Sequence, residues 1–346
     1  MIDTDVHVAP ASWDALYPHL DPGWRKYLEE RRVTGFHVPT VDLEGLRYAY
    51  PPVSRPQAPP ATYAELKERF LDGSAAGHVV LNCLTMFELN RNPYFQAGAA
   101  AALNDWLRDE WLERDARLRA SLVVPWLDPD GAIAEIERAG GDPRFVQVLL
   151  PVRAEAPWGQ KAFHGIYAAA AERGLAIALH AWGPPNHADN TKGYTTTYVE
   201  DYLGNATIAQ QHLVSLVAEG VFVRFPGLRF VIAECGFTWL PSITWRMDKD
   251  WKGLWPEIPW VRERPSFYVR RNVRLTTTPG HLGGATPEQV RELVRIIGPE
   301  LLLYASDFPH EHGDPGRLLG ALGEADRAAI LAGNATELYD LRDARV

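Results

Sequence analysis

Eight short apolar runs, separated by stretches of helical spacing, constrain this chain more than any other feature of its sequence. In order they are "MIDTDVHV", "GHVVLNCL", "LRASLVVPWL", "RFVQVLLPV", "GLAIALHAW", "LRFVIAECG", "NVRLTTTP" and "ELLLYASDF". Each has the length of a strand, and near-continuous Val, Leu and Ile suits a parallel strand covered on both faces. Between most of them lie helical patterns such as "YFQAGAAAALNDWLRDEWLERD", "PDGAIAEIERAG", "FHGIYAAAAERG", "IAQQHLVSLVAEGVFVRF" and "TPEQVRELVRIIG". Strand and helix in repeated alternation predict an α/β chain folded as a (β/α)8 TIM barrel rather than an open sheet. Residues 1–346 are expected to form one domain.

The bulk numbers narrow the function. At 46% hydrophobic and 23% charged, the composition is globular. A net charge of -9 opposes a nucleic-acid footprint, which needs clustered Lys and Arg. The longest apolar candidate, "VFVRFPGLRFVIAECGFTWL", is broken by Arg224, Pro226, Arg229 and Glu234, so no membrane partner is expected. The chain opens directly on a strand pattern, so no secretory leader is evident. Cys83 and Cys235 sit in apolar runs and read as buried, inert thiols of a reducing compartment. A cytoplasmic protein follows as the expectation.

Two stretches exceed ordinary barrel loops. Residues 33–62 include the proline-rich "YAYPPVSRPQAPPATY", which cannot be helical and is expected to lie over one end of the barrel. The second, "WGPPNHADNTKGYTTTYVEDYLGN", follows the fifth strand. Both are expected as long βα loops forming a partial lid. "GNATELYDL" near the end reads as a capped closing helix.

Chemistry in such a barrel sits at the C-terminal ends of its strands. The unusual polar residues fall there: Asp5 and His7 on strand one, His180 on strand five, Glu234 on strand six and Asp307 on strand eight. Period-2 alternation points positions 3, 5 and 7 to one face. Burying several carboxylates and imidazoles together is costly unless they are paired or neutralised, and a divalent cation removes that cost. Two imidazoles with two carboxylates suit zinc, manganese or iron(II), with zinc the first expectation.

The motifs "IDTDVHV", "ALHAWG", "YASDFPH" and "GNATELYDL" resemble the amidohydrolase superfamily, in the branch that holds aminocarboxymuconate-semialdehyde decarboxylase and related metal-dependent hydrolases and decarboxylases. The similarity runs from residue 1 to about 342. It implies one divalent metal held by Asp5, which stands where the family usually has a first His, with His7, His180 and Asp307. Strand six departs from the decarboxylase pattern, since "AECGFTWLP" puts Glu234 or Cys235 where a catalytic His is usual.

The first expectation is therefore hydrolysis of an amide or ester in a small aromatic or cyclic carboxylic substrate, with Asp307 or Glu234 as the catalytic proton carrier. Non-oxidative decarboxylation is the second reading, hydration of an enol or diene acid a third, and a catalytically inactive metal-binding barrel a fourth. Trp182, His187 and Tyr194 are candidate substrate-binding residues, because they lie on or just after strand five. Arg47 and Arg55 read as ordinary surface arginines. His310 and His312 read as loop residues, placed where the chain has turned away from the strand, and His212 as structural. "WRMDKDWKGLW" at helical spacing reads as packing or a dimer contact. With twelve tryptophans in the chain and relatives that are often dimers, a homodimer is expected.

Overall fold

A computed structural model of the chain describes residues 1–33, 58–87, 90–183, 196–310, 312 and 314–341. The eight apolar runs all form strands: β1 (Ile2–His7), β2 (His78–Asn82), β3 (Leu118–Val123), β4 (Phe145–Pro151), β5 (Ala176–His180), β6 (Phe230–Ala233), β7 (Val273–Thr276) and β8 (Leu302–Leu303). They make one sheet in the order β1 to β8, and each neighbouring pair is parallel. The ends meet through backbone hydrogen bonds: Thr4 N–H to Tyr304 O at 3.0 Å, Asp307 N–H to Asp5 O at 3.0 Å and His7 N–H to Phe308 O at 2.8 Å. The (β/α)8 barrel expected from the sequence is the fold found.

Among the described residues the principal helices alternate with the strands, and four of them start at a side-chain cap. The principal helices are α1 (Pro22–Arg31), α2 (Pro93–Trp106), α3 (Pro129–Ala139), α4 (His164–Glu172), α5 (Tyr198–Ala218), α6 (Leu240–Leu254), α7 (Pro265–Asn272), α8 (Pro287–Ile297), α9 (Asp314–Ala321) and α10 (Asn334–Leu338). Asn92 caps α2 by accepting from the N–H groups of Tyr94 and Phe95, with Pro93 at the first helical position. Thr286 and Gln289 form a capping box on α8, which buries Val290, Val294 and Ile297 on one face.

One boundary differs from the expectation. The stretch after β5 becomes helical at Tyr198, because Thr197 and Glu200 form a capping box whose T-x-x-E spacing is present in the sequence. Residues 34–57 and 184–195, with Arg47, Arg55, His187 and Tyr194, lie outside the described residues.

His212 is structural, as expected. Its Nδ1 accepts the Trp158 N–H at 3.2 Å and its Nε2 donates to Val152 O at 2.6 Å, pinning α5 to the loop after β4. Burial pushes its pKa down to about 4. Both cysteines are buried, as expected.

Candidate metal centre

Four strands, β1, β5, β6 and β8, deliver a buried polar cluster at or just past their ends. Asp5 and His7 come from β1, His180 from the end of β5, Glu234 from just past β6 and Asp307 from beyond β8. Asp5, His7 and His180 offer donor atoms that all lie within 4.8 Å of one another, and His7, Asp307 and His310 form a second such set. His180 Nε2 stands 3.2 Å from each Asp5 oxygen, and His7 Nε2 stands 2.7 Å from Asp307 Oδ1. Glu234 Oε2 lies 3.5 Å from His180 Nδ1. Glu234 at φ +58° and Asp307 at φ +61° occupy the left-handed region, an unfavourable conformation for non-glycine residues that clusters at functional sites.

Asp3 shares the face but not the cluster. Its Oδ1 accepts the backbone N–H groups of Asp5 and Ser306, which ties β1 to the segment after β8. Burial lifts its carboxyl to about 7 against the pull of the Ser306 hydrogen bonds.

Two carboxyls at this mouth are driven in opposite directions. Burial, reinforced by the charges of Asp307 and Asp5, pushes Glu234 well above the usual carboxylate range. Burial alone would do the same to Asp307, but hydrogen bonds from His310, His312 and His7 hold it well below. Burial also opposes charge on Asp5 and His7, yet the imidazoles of His180 and His7 lower Asp5, while the Asp5 and Asp307 carboxylates raise His7.

The donor set fits a divalent cation. His7 Nδ1 and His180 Nδ1 are buried without a hydrogen-bond partner among the described residues, although the latter faces Glu234. The carboxylates require positive charge between them, and a cation with nitrogen and oxygen ligands supplies it. Asp5, His7, His180 and Asp307 are the residues that could hold it.

The reading of His310 and His312 needs correction. His310 Nδ1 stands 2.9 Å from Asp307 Oδ1 and His312 Nε2 stands 2.8 Å from Oδ2. The chain reverses directly after Asp307, where the His310 N–H returns to Asp307 O at 2.8 Å. The two imidazoles therefore come back onto the carboxylate instead of leaving it. Their H-x-H spacing was the available signal. Asn82, which donates to Asp5 Oδ1 at 2.7 Å, was also missed. Trp182 is buried two residues beyond His180, with its Nε1 unbonded among the described residues.

The amidohydrolase family profile matches residues 2–341. The chain belongs to the amidohydrolase family. An amidohydrolase of Mycobacterium avium subsp. paratuberculosis K-10 shares its fold at a TM-score of 0.73 and 19% identity, covering 99% of this chain and 98% of that one. Among amidohydrolase relatives in sequence, the gamma-resorcylate decarboxylase of Rhodococcus jostii RHA1 is 25% identical over 261 residues, 70% of this chain and 76% of the relative. A dihydroxybenzoic acid decarboxylase of Polaromonas, solved with bound manganese and the inhibitor 2-nitroresorcinol, aligns at a TM-score of 0.61 and 19% identity over 100% of this chain and 97% of that one.

These findings support an enzyme and overturn the expectation of hydrolysis. The curated relatives are decarboxylases, the reading that the sequence placed second. One fold can host different chemistries, so the strand-end residues of this chain did not decide between hydrolysis and decarboxylation.

Proposed function

We propose that this amidohydrolase is a metal-dependent, non-oxidative decarboxylase of a small hydroxylated aromatic carboxylic acid. The buried cluster of Asp5, His7, His180 and Asp307 at the barrel mouth carries the reading, supported by the decarboxylase relatives. Those four residues would hold one divalent ion, with manganese tested first, then zinc and iron(II). When bound, the ion supplies a Lewis acid that polarises the substrate's oxygens.

Loss of carbon dioxide breaks the bond between ring and carboxyl carbon and leaves an electron pair on the ring carbon, which must take up a proton. Glu234 is the group placed to give it, since its Oε2 stands 3.5 Å from His180 Nδ1 at the barrel mouth and burial favours its protonated form. Its carboxyl takes the place of the imidazole usual on strand six. Glu234 is left as carboxylate and regains its proton from solvent before the next turnover. Trp182 offers an indole N–H and an aromatic face to the substrate.

Manganese-loaded protein incubated with 2,6-dihydroxybenzoate should release carbon dioxide and form resorcinol, followed by headspace analysis and chromatography. Metal-loaded protein that releases no carbon dioxide from any member of a hydroxybenzoate panel would overturn the proposal.

A further inference from the structure

A polar chain runs through the barrel interior from its floor to the candidate metal centre. Asp5 Oδ1 takes an N–H from Asn82, the last residue of β2, at 2.7 Å. Asn82 Oδ1 accepts the hydroxyl of Ser121 in β3. Ser121 Oγ in turn accepts from Gln147 Nε2 in β4 at 2.8 Å. Gln147 Oε1 accepts the Tyr339 hydroxyl at 2.7 Å, just past α10. Asn82, Ser121 and Gln147 are all buried, and strand register sets them side by side. Tyr339 enters from the opposite end to the metal centre. Its neighbour Leu338 lines a cavity with Ala176 and Leu228 at the feet of β5 and β6, and Asn334 bonds the Leu302 carbonyl where β8 begins.

One charge fixes the direction of every link. A carboxylate at Asp5 can only accept, so Asn82 must turn its amide nitrogen toward it and its oxygen toward Ser121. Ser121 then spends its only proton on Asn82 and can only accept from Gln147. That places Gln147 Oε1 opposite Tyr339, which must donate. Each donor is polarised by the one behind it, so the chain strengthens toward Asp5.

We propose that Tyr339 is a positioning residue for Asp5, acting through Gln147, Ser121 and Asn82 to hold the carboxylate oriented for a metal ion. The inference rests on Asp5 as a metal ligand and is independent of the reaction catalysed. Partners behind a ligand typically alter metal affinity by about 10- to 100-fold.

The test measures Mn(II) dissociation constants of chelator-stripped protein from the electron paramagnetic resonance signal of free Mn(II). Tyr339→Phe should weaken binding about tenfold and Ser121→Ala at least as much. The double variant should bind no more weakly than Ser121→Ala alone, since the first break already disconnects the second. Should Tyr339→Phe fail to fold, Ser121→Ala, which leaves the barrel floor intact, carries the test alone. Wild-type affinity in a folded variant, or costs that add in the double variant, would overturn the inference while leaving the metal centre standing. A wild type that binds no Mn(II) would remove both.

Discussion

At the scale of single residues, the site divides its carboxyls by environment. Glu234 is crowded by burial and by Asp307 and Asp5, whereas Asp307 is wrapped by three imidazoles. Replacing Glu234 by Gln keeps shape and hydrogen bonding but removes the transferable proton. Glu234→Gln should therefore retain its metal, read by mass spectrometry, while turnover falls about 100- to 1,000-fold. Asp307→Asn and His180→Ala should lose both metal and turnover with an unchanged far-ultraviolet circular dichroism spectrum. Full turnover in either would remove that residue from the centre. The identities of Asp5, His7, His180, Glu234 and Asp307 were legible in the sequence because charge stands out in an apolar strand. His310 and His312 were not, because their approach depends on a reversal at Asp307 that no strand pattern encodes.

At the scale of elements, the short apolar runs sufficed to locate all eight strands, since burial on both faces leaves little alternation to misread. The start of α5 was lost among polar loop residues, although its capping box was written in Thr197 and Glu200. That helix has a second consequence through His212. Protonating the imidazole takes away the lone pair that accepts the Trp158 N–H. The folded pKa of about 4 lies below the ordinary 6.5, so the unfolded chain binds the proton more readily. The stabilisation is complete above about pH 6.5 and is lost as the pH falls toward 4, amounting to about 2 kcal/mol by pH 5. Denaturant midpoints at pH 7.5 and pH 5 should show this loss in the wild type and not in His212→Gln. Equal acid losses in the two proteins would assign the sensitivity elsewhere.

At the scale of the whole molecule, the barrel closes where its chemistry sits. The seam between β1 and the segment after β8 rests on three backbone hydrogen bonds, from Thr4, His7 and Asp307, and on the Asp3 carboxylate reaching Ser306. The seam joins residues some 300 positions apart in sequence, as the bond of His7 to Asp307 shows. Asp5 and His7 stand on one side of it and Asp307 on the other, so a cation bound among them cross-links the two ends of the sheet. Trp245, Leu254 and Trp255 of α6 and its C-terminal end are exposed away from this seam, and we propose this face for the homodimer expected from sequence. Light scattering should give twice the monomer mass, and a monomer across micromolar concentrations would contradict it. Metal, by contrast, should act at the seam. Because an ion that binds the folded state stabilises it by mass action, chelation should lower the melting temperature. Local opening should concentrate at the ends that the ion joins. Hydrogen exchange of the chelated protein should then quicken in peptides covering residues 2–7 and 303–310 more than in those covering β3 and β4. Uniform quickening would mean that the ion stabilises the barrel as a whole, without cross-linking its seam.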